Sequence, residues 1–412
     1  MRMRWKVSIQ NIAAFFGCIY LFLSTNPFIL WTTMPSVFYL LIFLIIVVVT
    51  ISLTVVYKIV LTTNRILLVT FLSIFIFFIF LPINGREFLW AQILLFLSLI
   101  AIIFYQDSIH YQIFVFFRKF LIFFSIFAIA IFILILIGVD PEAIPHYKVE
   151  AFTIPMLRHN DFYRVYGFVV SSTNTIYHFG GLTIARACGP FLEPGHFAIY
   201  LGVTVSIEKL LYNKISKILV IAGFITFSPA FLIFLGLIVF YDIFFFRNFK
   251  LLIYLSVFVV LVLFIIITSE EIREGIYYLA IERNLGDGIK STIENRSTGS
   301  AYFAYKNLIS TKDFLLGKGT EFFEKFGVMS DFRGFIFKYG LIGFILSIGI
   351  VSIILTESKI NSLFISLPIL VLIFAHRSWM FESPYSYLYL LLIIRCYNFY
   401  QEQKLNIDDS KS

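Results

Sequence analysis

Long apolar runs separated by short polar breaks set the pattern of this chain. Unbroken apolar stretches lie near 7–25, 36–57, 66–82, 88–105, 120–139, 194–212, 217–228, 229–246, 251–268, 335–355, 361–375 and 385–400. A helix needs about 20 apolar residues to cross the hydrocarbon, so the pattern predicts about twelve transmembrane helices. Lipid offers no water to unpaired backbone groups, which leaves only helices or closed barrels as spanning structures. The runs lack the alternating ten-residue signature of a barrel. The expected fold class is therefore an all-α polytopic integral membrane protein.

Two segments interrupt the apolar pattern and divide the chain. Helices over 1–139 precede a first large loop, 140–193, and helices over 194–268 precede a second, 269–334. Helices over 335–400 and a polar tail, 401–412, complete it. Loops this long are functional or disordered. Tyr, Phe, Ile and Leu run through both, so both are expected to be packed. The stretch 217–246 carries Ser228-Pro229 at its middle and reads either as one broken helix or as a hairpin of two short ones.

Charge sharpens this picture. Short cytoplasmic loops are enriched in Lys and Arg. Lys209, Lys214 and Lys217 precede the doubtful pair, and Arg247 and Lys250 follow it, so the chain must cross twice between them. The same rule places both termini inside, with Lys58, Arg65, Arg118, Lys119 and Lys359, and both large loops outside. The net charge of +8 is then a topology signal that calls for no nucleic acid. Of 412 residues, 60% are hydrophobic and 14% charged. A soluble domain carries roughly twice that share of charge. The basic start, Met1 to Lys6, leads into an apolar run with no small-residue cleavage site after it, which predicts an uncleaved first helix. The three cysteines, Cys18, Cys188 and Cys396, form no disulfide framework and no C-x-x-C metal spacing.

The most informative stretch is Arg186-Ala-Cys-Gly-Pro-Phe-Leu-Glu193-Pro-Gly-His196-Phe. Pro194 suits the first turn of a helix, where its missing N–H costs nothing. Glu193 would then cap that helix, whose N-terminus favours a carboxylate. His196, three residues on, shares its face. Arg186 could hold a phosphate bidentately. A capped helix with an interfacial arginine is the purely structural reading of the same residues.

The second loop holds Arg296, then an apolar spacing that suits an amphipathic helix on the membrane, then Gly317-Lys-Gly319, Asp331 and Arg333, and Tyr339-Gly-Leu-Ile-Gly343 follows at the start of the next span. Most of the Lys and Arg in this loop read as solvated charges. The third stretch, His376-Arg377-Ser-Trp-Met-Phe-Glu382-Ser-Pro, puts His376 and Arg377 near membrane depth. Ionisable groups there are costly and usually functional, although Arg377 can also snorkel to the interface. Asp107, Glu208, Asp242 and Arg395 fall at cytoplasmic helix ends and read as structural. There is no Walker A loop, H-E-x-x-H or G-x-S-x-G, and Asp140-Pro-Glu142 is only a loose acidic pair. ATP-driven transport and zinc hydrolysis are therefore unsupported.

Together these stretches resemble the O-antigen polymerase and ligase superfamily of bacterial membrane glycosyltransferases (Wzy-type polymerases). Arg186 to Phe197 looks like that group's Arg-x-x-Gly-x-Phe-x-Glu-Pro-Gly segment. Arg296, the aromatic helix after it and Gly317-x-Gly319 look like its second-loop pattern. Tyr339-Gly-Leu-Ile-Gly343 looks like its Gly-Leu-x-Gly span start. The Ser228-Pro229 break matches a short hairpin often seen between the loops. The resemblance covers roughly 180–345. It implies a GT-C-like architecture in a bacterial inner membrane, with both termini cytoplasmic and both large loops periplasmic. The ligase branch usually has a His before the helix near Phe335, where this chain reads Ser330-Asp331-Phe332-Arg333. That departure disfavours a ligase.

The resemblance implies substrates that are oligosaccharides on a polyprenyl (undecaprenyl) diphosphate, as donor and acceptor. An acceptor hydroxyl attacks the donor's anomeric carbon and the lipid diphosphate leaves. Neither nucleotide, metal nor other cofactor is required. Membrane lipid and a chain-length regulator are the implied partners. Arg186 and Arg296 would stabilise the diphosphate charge, assisted by Arg377 or Arg333. Glu193, His196, Asp331 and His376 are the candidate proton acceptors. Glu193 has the best local argument, although the charges that keep it ionised also weaken it as a base. The expected function is polymerisation of lipid-linked repeat units into a surface polysaccharide. A ligase, or a transporter or flippase of lipid-linked oligosaccharide, is the alternative.

Overall fold

The apolar runs fold as helices in a computed structural model. It describes residues 9–31, 36–56, 60–80, 90–150, 162–172, 175–179, 182–250, 252–257, 260, 273, 277, 299–319, 332–376 and 382–409. In chain order the N-terminal helices are α1 (Ile9–Ser24), α2 (Phe28–Trp31), α3 (Ser36–Val56), α4 (Thr63–Phe80), α5 (Trp90–Ile103) and α6 (Asp107–Leu136). After the first large loop come α7 (Pro194–Tyr212), α8 (Lys217–Phe224) and α9 (Pro229–Phe246). The last group is α10 (Gly299–Ile309), α11 (Asp313–Leu316), α12 (Phe332–Leu355), α13 (Ile360–His376) and α14 (Pro384–Asp409).

Four of these, α4, α6, α9 and α12, are long and apolar enough to cross a membrane. Helix α1 and parts of α3, α5 and α13 are shorter apolar helices. A mostly helical, multi-pass membrane architecture follows. The expected span over 251–268 lies largely outside the described residues; 252–257 and 260 are helical.

The first large loop corrects the all-helical expectation. It contains a three-stranded antiparallel sheet, β1 (Tyr147–Glu150), β2 (Phe162–Tyr166) and β3 (Val169–Ser172), and a hairpin of β4 (Ile176–Phe179) and β5 (Leu182–Ala185). Tyr166 pairs with Val169, so a two-residue turn, Gly167-Phe168, joins β2 to β3. Gly167 has φ +65°, a conformation open to glycine and unfavourable for most residues. Aromatic and β-branched residues predominate in β2 and begin β3, as strands favour, and both strands are almost wholly buried. Phe168 at the turn packs on Phe123, Phe124 and Phe127 of α6.

The chain divides into two compact units. One comprises Met1–Thr25, Pro35–Phe117 and Ile293–Ser412; the other comprises Asn26–Met34 and Arg118–Thr292. In the first, Gly349 of α12 lets the ring of Phe71 on α4 approach closely. Its polar anchor is a buried charge cluster. Arg65 bonds Asp107 at 2.6 Å and the Tyr105 carbonyl at 2.7 Å. Arg395, 1% exposed, reaches Glu357 at 3.3 Å and the Ile103 carbonyl at 3.1 Å. Unpaired, such buried charges would cost several kcal/mol each; paired, they tie α4, α6 and α14 and the end of α12 together.

In the second unit Gly202 of α7 takes the ring of Phe234 on α9, and Gly223 of α8 takes that of Phe231. Glu208 pairs with Arg118, and Lys209 pairs with Asp242 at 2.6 Å. The helix expected over 217–228 ends at Phe224. Its eight residues rise about 12 Å, less than half a hydrocarbon core. Phe231 reaches back onto Gly223 and Phe224, so the chain reverses at Ile225–Ser228 and α8–α9 is a hairpin.

Candidate functional site

The Arg186–His196 stretch is threaded into the second unit by its backbone. Arg186 N–H donates to the Thr175 carbonyl at 2.8 Å, and Ala187 N–H to the Ile225 carbonyl at 2.9 Å. Val170 N–H donates to the Gly189 carbonyl at 2.7 Å. Gly189 has φ +56°, and a Cβ there would meet the Phe197 ring at 2.9 Å. The segment thus runs against the α8–α9 turn before α7 begins.

Arg186 has a structural task at that turn. Its Nε donates to the Thr226 carbonyl at 3.0 Å and its Nη2 to the Phe227 carbonyl at 3.4 Å. These carbonyls lie just past the C-terminal end of α8, where orphan acceptors and the negative end of the helix dipole favour a cation. The fork expected to hold a phosphate is therefore engaged by the hairpin turn.

Glu193 occupies the N-cap position of α7 with extended backbone, and Pro194 takes the first helical position, as expected. The Glu193 side chain makes no capping hydrogen bond. Instead its carboxylate, 46% exposed, lies 3.8 Å from His196 Nε2, so these two residues share a face as their spacing predicts. Arg186 and Glu193 both act electrostatically on the Cys188 thiol, which burial pushes up to about 12.

A second arrangement, in the first unit, joins motifs that are far apart in sequence. Helix α12 breaks at Gly340, with φ 70° and ψ 179°. The break frees the Phe337 carbonyl, and Lys318 N–H donates to it at 2.8 Å. Gly317 and Gly319 both have positive φ, and Gly317 lies backbone against backbone with Gly340 at the break. Beside it, Lys338 Nζ donates to both carboxylate oxygens of Glu382, at 3.1 and 3.2 Å. Tyr339 Oη donates to Glu382 Oε2 at 3.1 Å. Gly317-x-Gly319 and Tyr339-Gly340, two of the motifs behind the resemblance, thus meet Glu382 of the His376–Pro384 stretch at one locus.

The remaining expected site residues are distributed as follows. Arg333 is half-buried in the first turn of α12. His376 ends α13, and its side chain is not among those described. Arg296, Asp331 and Arg377 lie outside the described residues. The loose acidic pair resolves into a clasp on the sheet: Glu142 accepts from Arg164 Nε at 2.8 Å and from Lys148 at 3.0 Å, and its N–H donates to Asp140 at 2.9 Å. Arg164 first, then Lys148, hold the Glu142 carboxyl well down, at about 2. Among the described residues no group of His, Cys, Asp or Glu is placed to hold a metal ion.

Sequence reasoning missed Lys338 and gave Glu382 no role. A lysine inside an otherwise apolar helix, one residue from a tyrosine and two from a glycine, was the available signal. No protein-family model, no curated protein and no solved structure matches this chain.

Proposed function

We propose that this protein is a membrane glycosyltransferase that polymerises polyprenyl-diphosphate-linked oligosaccharide repeat units into a surface polysaccharide. The observation that carries this reading is the convergence at the α12 break. Gly317-x-Gly319 and Tyr339-Gly340, separate motifs in the sequence, meet at one place, where Tyr339 also reaches Glu382. A tyrosine, a lysine and a carboxylate around a helix break offer hydrogen bonds to sugar hydroxyls and a cation to a diphosphate. The donor arrives activated, so acid–base and electrostatic groups suffice for the chemistry.

In this reading the chain crosses a bacterial inner membrane about twelve times, with α8 as a half-length arm of a hairpin. Both termini are cytoplasmic, and both large loops face the periplasm. Half-exposed Glu193 and the more buried His196, at the start of α7, bind sugar hydroxyls. Arg186 contributes by fixing the turn on which that helix start rests. A chain-length regulator is the expected protein partner.

One observation favours a second reading. Transporters place broken helices at their binding sites, and α12 is broken. A flippase of the same lipid-linked oligosaccharide would use the break to move its headgroup. The deciding experiment is incubation of purified protein in detergent with lipid-linked repeat units. A ladder of products on a gel supports the polymerase. Unchanged substrate, together with headgroup movement in proteoliposomes, supports the flippase.

A further inference from the structure

We propose that Lys338 and Glu382 are an exchangeable ion pair: the donor's diphosphate displaces Glu382 from Lys338, and the freed carboxylate takes the proton of the acceptor hydroxyl. This rests on the glycosyltransferase reading above.

The side chains of the pair are 18% and 19% exposed, so both charges have lost most of their water. Such a pair recovers little net stability from its own attraction. It also sits beside the one place where α12 gives up its helical ladder. Gly317 and Gly340 hold the two backbones so close there that no side chain separates them. The locus is therefore tightly packed at the level of the backbone and charged at the level of the side chains.

Each group has a partner that survives the exchange. Tyr339 donates to Oε2 of Glu382, and Lys338 bridges both oxygens. When Lys338 turns to a diphosphate, Tyr339 keeps Oε2 in place and Oε1 becomes the free acceptor. Lysine suits this exchange, because its ammonium is a compact point charge on a flexible stem, whereas arginine would bind the carboxylate as a rigid fork.

The step balances. A lone pair of the acceptor hydroxyl forms the new bond to the anomeric carbon. The bond from that carbon to the diphosphate oxygen breaks, and its electron pair leaves on the diphosphate beside Lys338. The hydroxyl proton passes to Glu382 Oε1. No oxidant or metal enters the balance.

Farnesyl diphosphate binding to the purified full-length protein tests the exchange, and turnover of lipid-linked repeat units tests the proton transfer. Glu382→Gln removes the competitor for Lys338, so it should bind farnesyl diphosphate several-fold tighter while losing about 100-fold or more in turnover. Lys338→Met should weaken binding by about 10-fold or more. These opposite signs are the diagnostic, since a purely structural pair would weaken binding in both variants. The double variant Lys338→Met/Glu382→Gln carries no orphan charge. It should melt near the wild type yet bind weakly, which separates lost binding from lost fold. Equal or weaker binding by Glu382→Gln overturns the exchange. Turnover within a few-fold of wild type in that variant overturns its role as base. If the two single variants show the opposite-signed shifts but the wild type converts no lipid-linked units, the glycosyltransferase reading and the base role fail while Lys338 stands as the diphosphate cation. If the wild type converts and both single variants match it, the pair fails and the reading stands.

Discussion

Gly317 and Gly340 lie backbone against backbone: a Cβ on Gly317 would come within 2.5 Å of the Gly340 nitrogen, and one on Gly340 within 2.6 Å of the Gly317 nitrogen. Both residues have positive φ, at 77° and 70°. Any side chain at either position meets a conformational penalty and a backbone it cannot push aside. Gly317→Ala and Gly340→Ala should each lower stability by about 1–3 kcal/mol. Gly236, inside α9 with nothing within 4 Å of an added Cβ, is the control. Gly236→Ala should leave the melting temperature unchanged or raise it, because alanine is the better helix former. Thermal unfolding in detergent checks all three, and a Gly340→Ala protein that melts like wild type would remove the contact as a constraint.

Arg186 separates charge from geometry. Its Nε and Nη2 reach two successive carbonyls at the α8–α9 turn. Lysine keeps the charge but lacks the planar fork. Arg186→Lys should lose about 1–3 kcal/mol of stability, seen as a lower melting temperature even without substrate. Unchanged melting with lost polymer would instead mean that Arg186 acts on the diphosphate directly.

The clasp at Glu142 makes a pH prediction. Its carboxyl is held at about 2, below the ordinary value of 4.5, mainly by the Arg164 hydrogen bond. A depressed carboxyl contributes stability that is fully present above its unfolded value and is lost as pH falls towards its folded one. The difference in melting temperature between wild type and Glu142→Gln should therefore be constant above about pH 5 and shrink between about 4.5 and 2. A difference that grows on acidification would contradict the pairing with Arg164.

Topology is checked with reporter fusions. Asn213 and Asn248, which follow α7 and α9, should report the cytoplasm. Asn160 and Thr298, in the two large loops and outside the described residues, should report the periplasm. Opposite sides for the two large loops would mean that the α8–α9 hairpin does not return the chain to its starting side.

Much of the helical framework was legible because lipid imposes one rule on every span, and apolar runs obey it. The Ser228-Pro229 break was legible for the same kind of reason: proline cannot continue a helix but can begin one. The strands were harder to see. Phe162-Tyr-Arg-Val-Tyr and Val169-Val-Ser-Ser are strand-like around a glycine turn, but apolar density in such a chain reads first as membrane. The Glu193–His196 face followed from helical spacing alone. The use of Arg186 did not, because backbone carbonyls, which no sequence pattern displays, compete for a guanidinium as well as phosphates do. Lys338 and Glu382 are 44 positions apart, and only the tertiary fold joins them.

The short helix Lys217–Phe224 also constrains how the gene can change length. One inserted residue would turn its end by about 100° and advance it about 1.5 Å. That shift would carry the Thr226 and Phe227 carbonyls off Arg186 and the Ile225 carbonyl off Ala187. Deletions act the same way in reverse. The exposed stretch Glu402–Leu405 meets no such requirement. Insertions and deletions among variants of this chain should therefore accumulate near its C-terminal end and be absent from Lys217–Phe224.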